Sequence, residues 1–297
     1  MQNFIGIESS LALYYMIDLL MIIAVMAGMR KIAGVIGNVS SHDELTKRDN
    51  FAYGISLSGA ALSLAIMLMG AVSGEAANTP INEALIMLGY GGVGILLMAI
   101  TRKVFDHIAL PKISIHDQIM NGNSAAALVD AGNMIATAIM LRAIMTWVDS
   151  NSWGGMLIVV AGFLLTQLLL LAATLYRRHV FAKRHGQTGL QGEIEKGNIA
   201  LALRFAGHRI GIALAVTAAS GMVIYGGDTG FINLAAWAGV AVIMFFALTI
   251  ISIVTRKLIL PGVNVADEVD NQGNVAIGAI EASTYVAVGF LLTGLFG

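Results

Sequence analysis

Cysteine is absent from the 297 residues, which excludes disulfides, thiolate metal sites and thiol catalysis. Proline is nearly as scarce, at three, and charged residues make up 12% of the chain where soluble domains carry about 25%. Against these shortages stand 57% hydrophobic residues and a mean hydropathy of +0.80. A soluble core of this size could not bury that much apolar surface, so lipid must be the solvent for most of it. No basic segment precedes the first apolar run, from about Ser9 to Gly28, and that run is longer than a signal-peptide core. It reads as a retained first helix.

Stretches apolar enough to cross a hydrocarbon layer of about 30 Å recur along the chain. They run from Ser9 to Met29, Asn50 to Val72, Asn82 to Thr101, Asn123 to Met145, Gly154 to Tyr176, Asn198 to Val223, Phe231 to Val254 and Asn274 to Phe296. The expected fold is therefore an all-α membrane protein of about eight transmembrane helices.

Internal repetition is visible in two periods. Residues 1–150 and 151–297 form two four-helix halves, in which ITRKVFDHIALPKISIHDQIMNGN is answered by IVTRKLILPGVNVADEVDNQGN. Within each half every second helix opens alike, at Asn50, Asn123, Asn198 and Asn274, so the finer unit is a helical hairpin. An even number of crossings per half makes the two repeats parallel in the membrane.

The net charge of −1 conceals an asymmetry. Each odd helix ends in a basic pair: Arg30 and Lys31, Arg102 and Lys103, Arg177 and Arg178, Arg256 and Lys257. Of the 17 basic residues, only Arg142, Arg204 and Arg209 fall outside the loops within the hairpins. By the positive-inside rule those loops are cytoplasmic. The opposite loops carry Glu75, Asp149 and Asp228 and no basic residue, which places both termini outside.

Small residues mark the even helices. Counted from the opening Asn, position +2 is Ala52, Ala125, Ala200 and Ala276, and +8 and +9 are Ala, Gly or Ser throughout. Lipid supplies no hydrophobic drive between helices, so close backbone contact must hold them, and the even helices should form the inner layer. Each opening Asn suits an N-cap. The acids just before them, Asp43, Glu44, Asp117, Glu193, Asp267 and Glu268, read as solvated loop charges.

Some charges lie where they are costly. Asp130 and Glu281 occupy +7 in equivalent helices, Arg204 occupies +6 of the third, and Ser56 matches it in the first. All are about 10 Å inside, where a lone charge costs up to roughly 3 kcal/mol. Position +10 adds Asn133, His208 and Thr284 on the same arc. Arg209 is about 16 Å in, and Asp18 of the first helix is at a matching depth, which suggests that they pair. Two readings compete. In one, Asp130, Glu281, Arg204, His208, Arg209 and Asp18 line a route for ions or a polar solute. In the other, the same residues are static ion pairs that fix helix register.

Other apparent motifs have plainer explanations. GYGGVG, from Gly89 to Gly94, lacks both GxGxxG spacing and a preceding strand, and reads as helix packing. His42, His107, His116, His179 and His185 show no ligand spacing.

TRK at Thr101 and Thr255, an acidic loop after each, and GNxA at Gly122 and Gly273 together resemble the YjfL-like bacterial inner-membrane family. That family has a DUF350-type domain of unknown function, here in two copies. The resemblance implies a multi-pass inner-membrane protein and brings no catalytic residues with it. The expected function is a channel or transporter for a small ion or polar solute, with no enzymatic activity and no cofactor. The alternative is a non-transporting scaffold whose basic cytoplasmic loops recruit a peripheral envelope-stress partner. Expected partners are the bilayer and the ion or solute, with a cytoplasmic protein or further copies of the chain as options, and no nucleic acid.

Overall fold

A computed structural model describes residues 9–37, 40–72, 79–148, 153–185, 189–226 and 229–297. Glu75, Asp149 and Asp228 lie outside the described residues, as do the side chains of Arg30 and Lys31. The described residues form helices joined by short turns, with no strand among them. In chain order the helices are α1 (Ser9–Gly37), α2 (Ser41–Thr46), α3 (Phe51–Val72), α4 (Pro80–Val104), α5 (Ile115–Met120), α6 (Ser124–Trp147), α7 (Trp153–His185), α8 (Leu190–Glu195), α9 (Ile199–Met222), α10 (Gly230–Ile259), α11 (Val265–Asp270) and α12 (Val275–Phe296). A π-helical turn, Phe105–Ala109, extends α4. Among the described residues, six helices are long and apolar enough to cross a membrane: α3, α6, α7, α9, α10 and α12.

What read as acidic loops are the short helices α2, α5, α8 and α11. α5, α8 and α11 turn apolar residues inward, as Ile115 and Ile119 of α5 do, whereas α2 buries Ser41 and Glu44; each is followed by a residue of positive φ: Asp49, Gly122, Gly197 and Gly273. That left-handed residue, easiest for glycine, reverses the chain into the next long helix. There the expected caps form: Asn50, Asn123, Asn198 and Asn274 accept from first-turn amides, Asn123 from both Ala125 N and Ala126 N. Glu44 is not a solvated charge. It is buried and accepts from Asn50 Nδ2 at 3.1 Å, which orients the cap.

α3, α6, α9 and α12 stand in a row, each packed on the next. Small residues bring their backbones together, and α6 and α9, in the middle, are the most enclosed spans. The longer odd helices lie over this row, α4 across α3 and α6, and α10 across α9 and α12. They carry many of the large exposed apolar side chains, such as Phe246 and Ile250; others, such as Leu62 and Leu291, lie on α3 and α12 at the ends of the row. Gly91 and Gly94 of the GYGGVG stretch lie inside α4 against Leu68 and Met67, so that run packs helices.

Candidate functional site: two charge clusters and a buried arginine

The row brings the intramembrane charges into separate places. In the first half, Asp130 on α6 is fully buried, and its Oδ2 accepts from Ser56 Oγ at 2.5 Å and from Arg102 Nη2 at 2.8 Å. Arg102 comes from the last turn of α4, and its side chain is 35% exposed. The other carboxylate oxygen, Asp130 Oδ1, has no hydrogen-bond partner among the described residues, and neither has Oδ1 of Asp106 in the π-helical turn. Burial, reinforced by the charge of Asp130 and opposed by Arg102, pushes the Asp106 carboxyl up to about 6. This cluster thus holds two carboxyls and one guanidinium.

The second half has the same plan with more cations. Glu281 on α12 accepts from Arg256 Nη1 at 2.6 Å, and its Oε2 lies 3.6 Å from Arg204 Nε. Arg204 also pairs with Asp270 at the end of α11, and His185 Nε2 is 3.8 Å from that carboxylate. Burial raises the Asp270 carboxyl above its usual range, against the pull of Arg204 and His185. Two carboxyls here face two guanidinium groups, so the charges balance.

Arg209 forms a third centre near mid-helix. Its Nη2 donates to Asn133 Oδ1 at 2.5 Å and its Nη1 to Thr174 Oγ1 at 2.6 Å, with the Phe105 and Phe205 rings 4.9 and 5.8 Å from its guanidinium carbon. The expected pairing with Asp18 does not occur. Arg209 is held between α6, α7 and α9, whereas Asp18 is buried on α1, which packs on α3 and α4. Matching depth did not bring the two into contact because the outer helix lies at the other end of the row. Beside Arg209 is a cavity of about 10 Å³, lined by Asn133, Gln167, Phe105 and Thr101, with room for no more than a water. His208 meets the edge of the Tyr285 ring at 4.8 Å, and Arg177 donates to that tyrosine's hydroxyl.

Of the six residues singled out from sequence, the structure therefore joins Arg204 with Glu281, and places Asp130, His208, Arg209 and Asp18 apart from that pair. The residues missed were Arg102, Arg256, Asp106 and Asp270. In the sequence the two arginines read as topology signals only. The clue was their shared register: TRK recurs in the halves whose next helix carries an acid at +7, and in both cases the arginine reaches that acid.

The profile of the Domain of Unknown Function (DUF350) matches residues 6–145, 79–219 and 153–296. The chain belongs to the DUF350 family. The three overlapping matches each span two successive hairpins. A curated relative, the UPF0719 transmembrane protein of Aquifex aeolicus (strain VF5), is 27% identical over 103 residues, covering 35% of this chain and 38% of its own length. The chain thus spans about two-fifths of that relative. No solved structure matches it. This DUF350 protein is a membrane protein with at least six apolar helices of spanning length.

Proposed function

We propose that this DUF350 protein is a channel or transporter for a small ion or polar solute in the bacterial inner membrane, working by proton exchange at Asp130. In this reading α1 and α4 also span. The chain crosses eight times, its halves are parallel four-helix repeats, and both termini are outside. The observation that carries the reading is the pairing pattern of Asp130. It lies two turns inside a span, is fully buried, commits one oxygen to Arg102 and Ser56, and leaves the other uncommitted near Asp106. A carboxyl titrating near 6, beside a second with a free oxygen, can take a proton from the cytoplasmic side and pass its charge state to the helix interior.

The test is proton flux into proteoliposomes under an imposed pH gradient. The double variant Asp130→Asn/Glu281→Gln should lose flux while still folding and eluting as the native protein does in detergent; unchanged flux removes the proposal.

The closed second cluster favours a different reading for that half. With two carboxyls matched by Arg204 and Arg256, it resembles a lock that holds helix register, as a scaffold recruiting a peripheral envelope-stress partner would need. Replacing the basic loops while keeping the topology would abolish recruitment by such a scaffold and leave flux by a transporter intact.

A further inference from the structure

One junction geometry recurs three times along the row of α3, α6, α9 and α12. The earlier helix of each pair offers its +9 glycine to the +8 alanine of the next. A Cβ built on Gly59, Gly132 or Gly207 would fall 2.4, 2.5 and 2.5 Å from the Cβ of Ala131, Ala206 and Ala282. The capping Asn of the earlier helix also crosses each junction. Asn50 Nδ2 donates to Ile119 O at 3.1 Å, Asn123 Nδ2 to Ile194 O at 2.9 Å, and Asn198 Nδ2 to Val269 O at 3.1 Å. Each junction thus has two unlike sides, one supplied by the earlier helix and one by the later.

A row of such junctions leaves one unused side at each end. On α9 the departing side is Ala200, Arg204, Gly207 and Gly211, at +2, +6, +9 and +13, all buried. The same offsets on α12 are Ala276, Ile280, Ser283 and Ala287, and all four are exposed. Asn274 Nδ2 donates within its own hairpin, to Glu268 at 2.8 Å, with no carbonyl across a junction. At the other end, the arriving offsets +4, +7, +8 and +11 are Gly54, Leu57, Ser58 and Ala61 on α3, with Ser58 exposed and the others half-buried. Leu45 O, in register with Val269 O, receives no Asn from this chain among the described residues.

The exposed α12 stripe also differs from the surfaces that suit lipid. The exposed face of α10 carries Phe231, Ile232, Ile243, Phe246 and Ile250, whereas the α12 stripe is alanine, serine and one isoleucine as far as Ala287, beyond which the same face turns to Phe290 and Leu291. The chemistry at +6 and +7 alternates along the row. It is polar at Ser56 with Asp130, apolar at Val129 with Phe205, and polar again at Arg204 with Glu281. Ile280 against Leu57 would continue the alternation. Further, α4 and α10 each cover a junction, and α1, which packs on α3, lies where the junction preceding α3 would be.

We propose that a second copy of this chain docks head to tail, its α3 against the exposed stripe of α12, so that the row continues across the subunit boundary with the same step. Ser283 then meets Ser58, and Asn274 Nδ2 comes within reach of Leu45 O. All four long helices of the row start from Asn at the same end, so the step keeps every copy in the same membrane with the same insertion sense. An interface with unlike sides closes into a ring or continues as a chain of copies; it does not stop at a two-fold dimer.

The native chain has no cysteine, which makes disulfide trapping unambiguous. Differently tagged Ser58→Cys and Ser283→Cys chains, coexpressed and oxidised in native membranes, should give a mixed disulfide-linked dimer. The Ser58→Cys/Ser283→Cys double variant should give a ladder of higher species. Phe246→Cys on the exposed face of α10, paired with Ser58→Cys, is the control. Each variant is first shown to elute and melt like the native protein. A mixed dimer no more abundant than the control overturns the proposal, because the stripe then faces lipid. A Ser283→Cys dimer formed without Ser58→Cys overturns it too, because the contact is then two-fold.

Discussion

Arg102 turns back from the last turn of α4 and donates to Asp130 of α6 at 2.8 Å, and Arg256 repeats the contact with Glu281 of α12 at 2.6 Å. A basic residue at the C-terminal end of one long helix therefore neutralises an acid two turns inside the next. The two contacts differ in what surrounds them: Asp106 in the first half, Arg204 with Asp270 in the second. That difference gives the first cluster a surplus carboxyl and the second none.

The Asp106 carboxyl should respond to its neighbours with opposite signs. Asp130→Asn removes a charge that raises it, so its titration moves below about 6; Arg102→Gln removes one that lowers it, so the titration moves above. Carboxyl-region infrared difference spectra against pH read both shifts. Equal behaviour of the two variants would separate Asp106 from this cluster.

Stability should follow the same group. Its value in the folded protein, about 6, is above the ordinary 3.8, so the folded state holds the extra proton between these values. The contribution of Asp106 to stability is then greatest at the acid end, falls as pH rises through that window, and is level above it. Asp106→Asn should flatten this part of a plot of melting temperature against pH in detergent, and an unchanged plot would contradict the assignment.

Gly207 tests the close packing of the row. A methyl group there would fall 2.4 Å from the backbone of Ala282, so Gly207→Ala should destabilise by about 1–3 kcal/mol. Gly92→Ala, with nothing within 4 Å of the added carbon, should be neutral or slightly stabilising. Melting temperatures of the two variants in one detergent make the comparison.

Asn123→Ala removes a cap and three outgoing bonds, to Gln118, Ile194 and Glu195, and should cost about 2 kcal/mol. Asn274→Ala, which loses no bond across a junction within the chain, should cost about 1 kcal/mol in the detergent-solubilised monomer. Chemical or thermal unfolding of the monomers ranks them.

Breaking the closed cluster should be worse than removing it. Arg256→Gln leaves Glu281 buried with Arg204 alone at 3.6 Å, a loss on the order of 3 kcal/mol, lessened because the Arg256 side chain is 28% exposed. Adding Glu281→Gln should restore part of that loss. A double variant less stable than the single would show that Glu281 has a further partner.

Much of this architecture is legible in the sequence. Helical character, the capping role of Asn50, Asn123, Asn198 and Asn274, and the inner position of α6 and α9 follow from spacing, because lipid punishes unpaired backbone and rewards close contact; α3 and α12, equally rich in small residues, end the row and are no more enclosed than α7. The short helices are not legible, since six residues such as IHDQIM are too few to show a period. The site is half legible. The costly depth of Asp130 and Glu281 is read from their distance along the helix, yet that distance carries no information on azimuth or on neighbours. Asp18 and Arg209 share a depth and lie apart, while Arg102 sits at a helix end and reaches inward on a long side chain. Asp106 was hidden for another reason: it lies in FDHI, which has no counterpart between TRK and LP in the second half, so repeat comparison passed over it.

The most direct measurement compares proton flux through proteoliposomes containing Asp130→Asn with flux through those containing Glu281→Gln, at equal protein and matched melting temperature. With Asp130 as the exchanging group and Glu281 locked between Arg204 and Arg256, the first variant should lose flux and the second keep most of it. Wild-type flux through the Asp130→Asn protein would contradict the account.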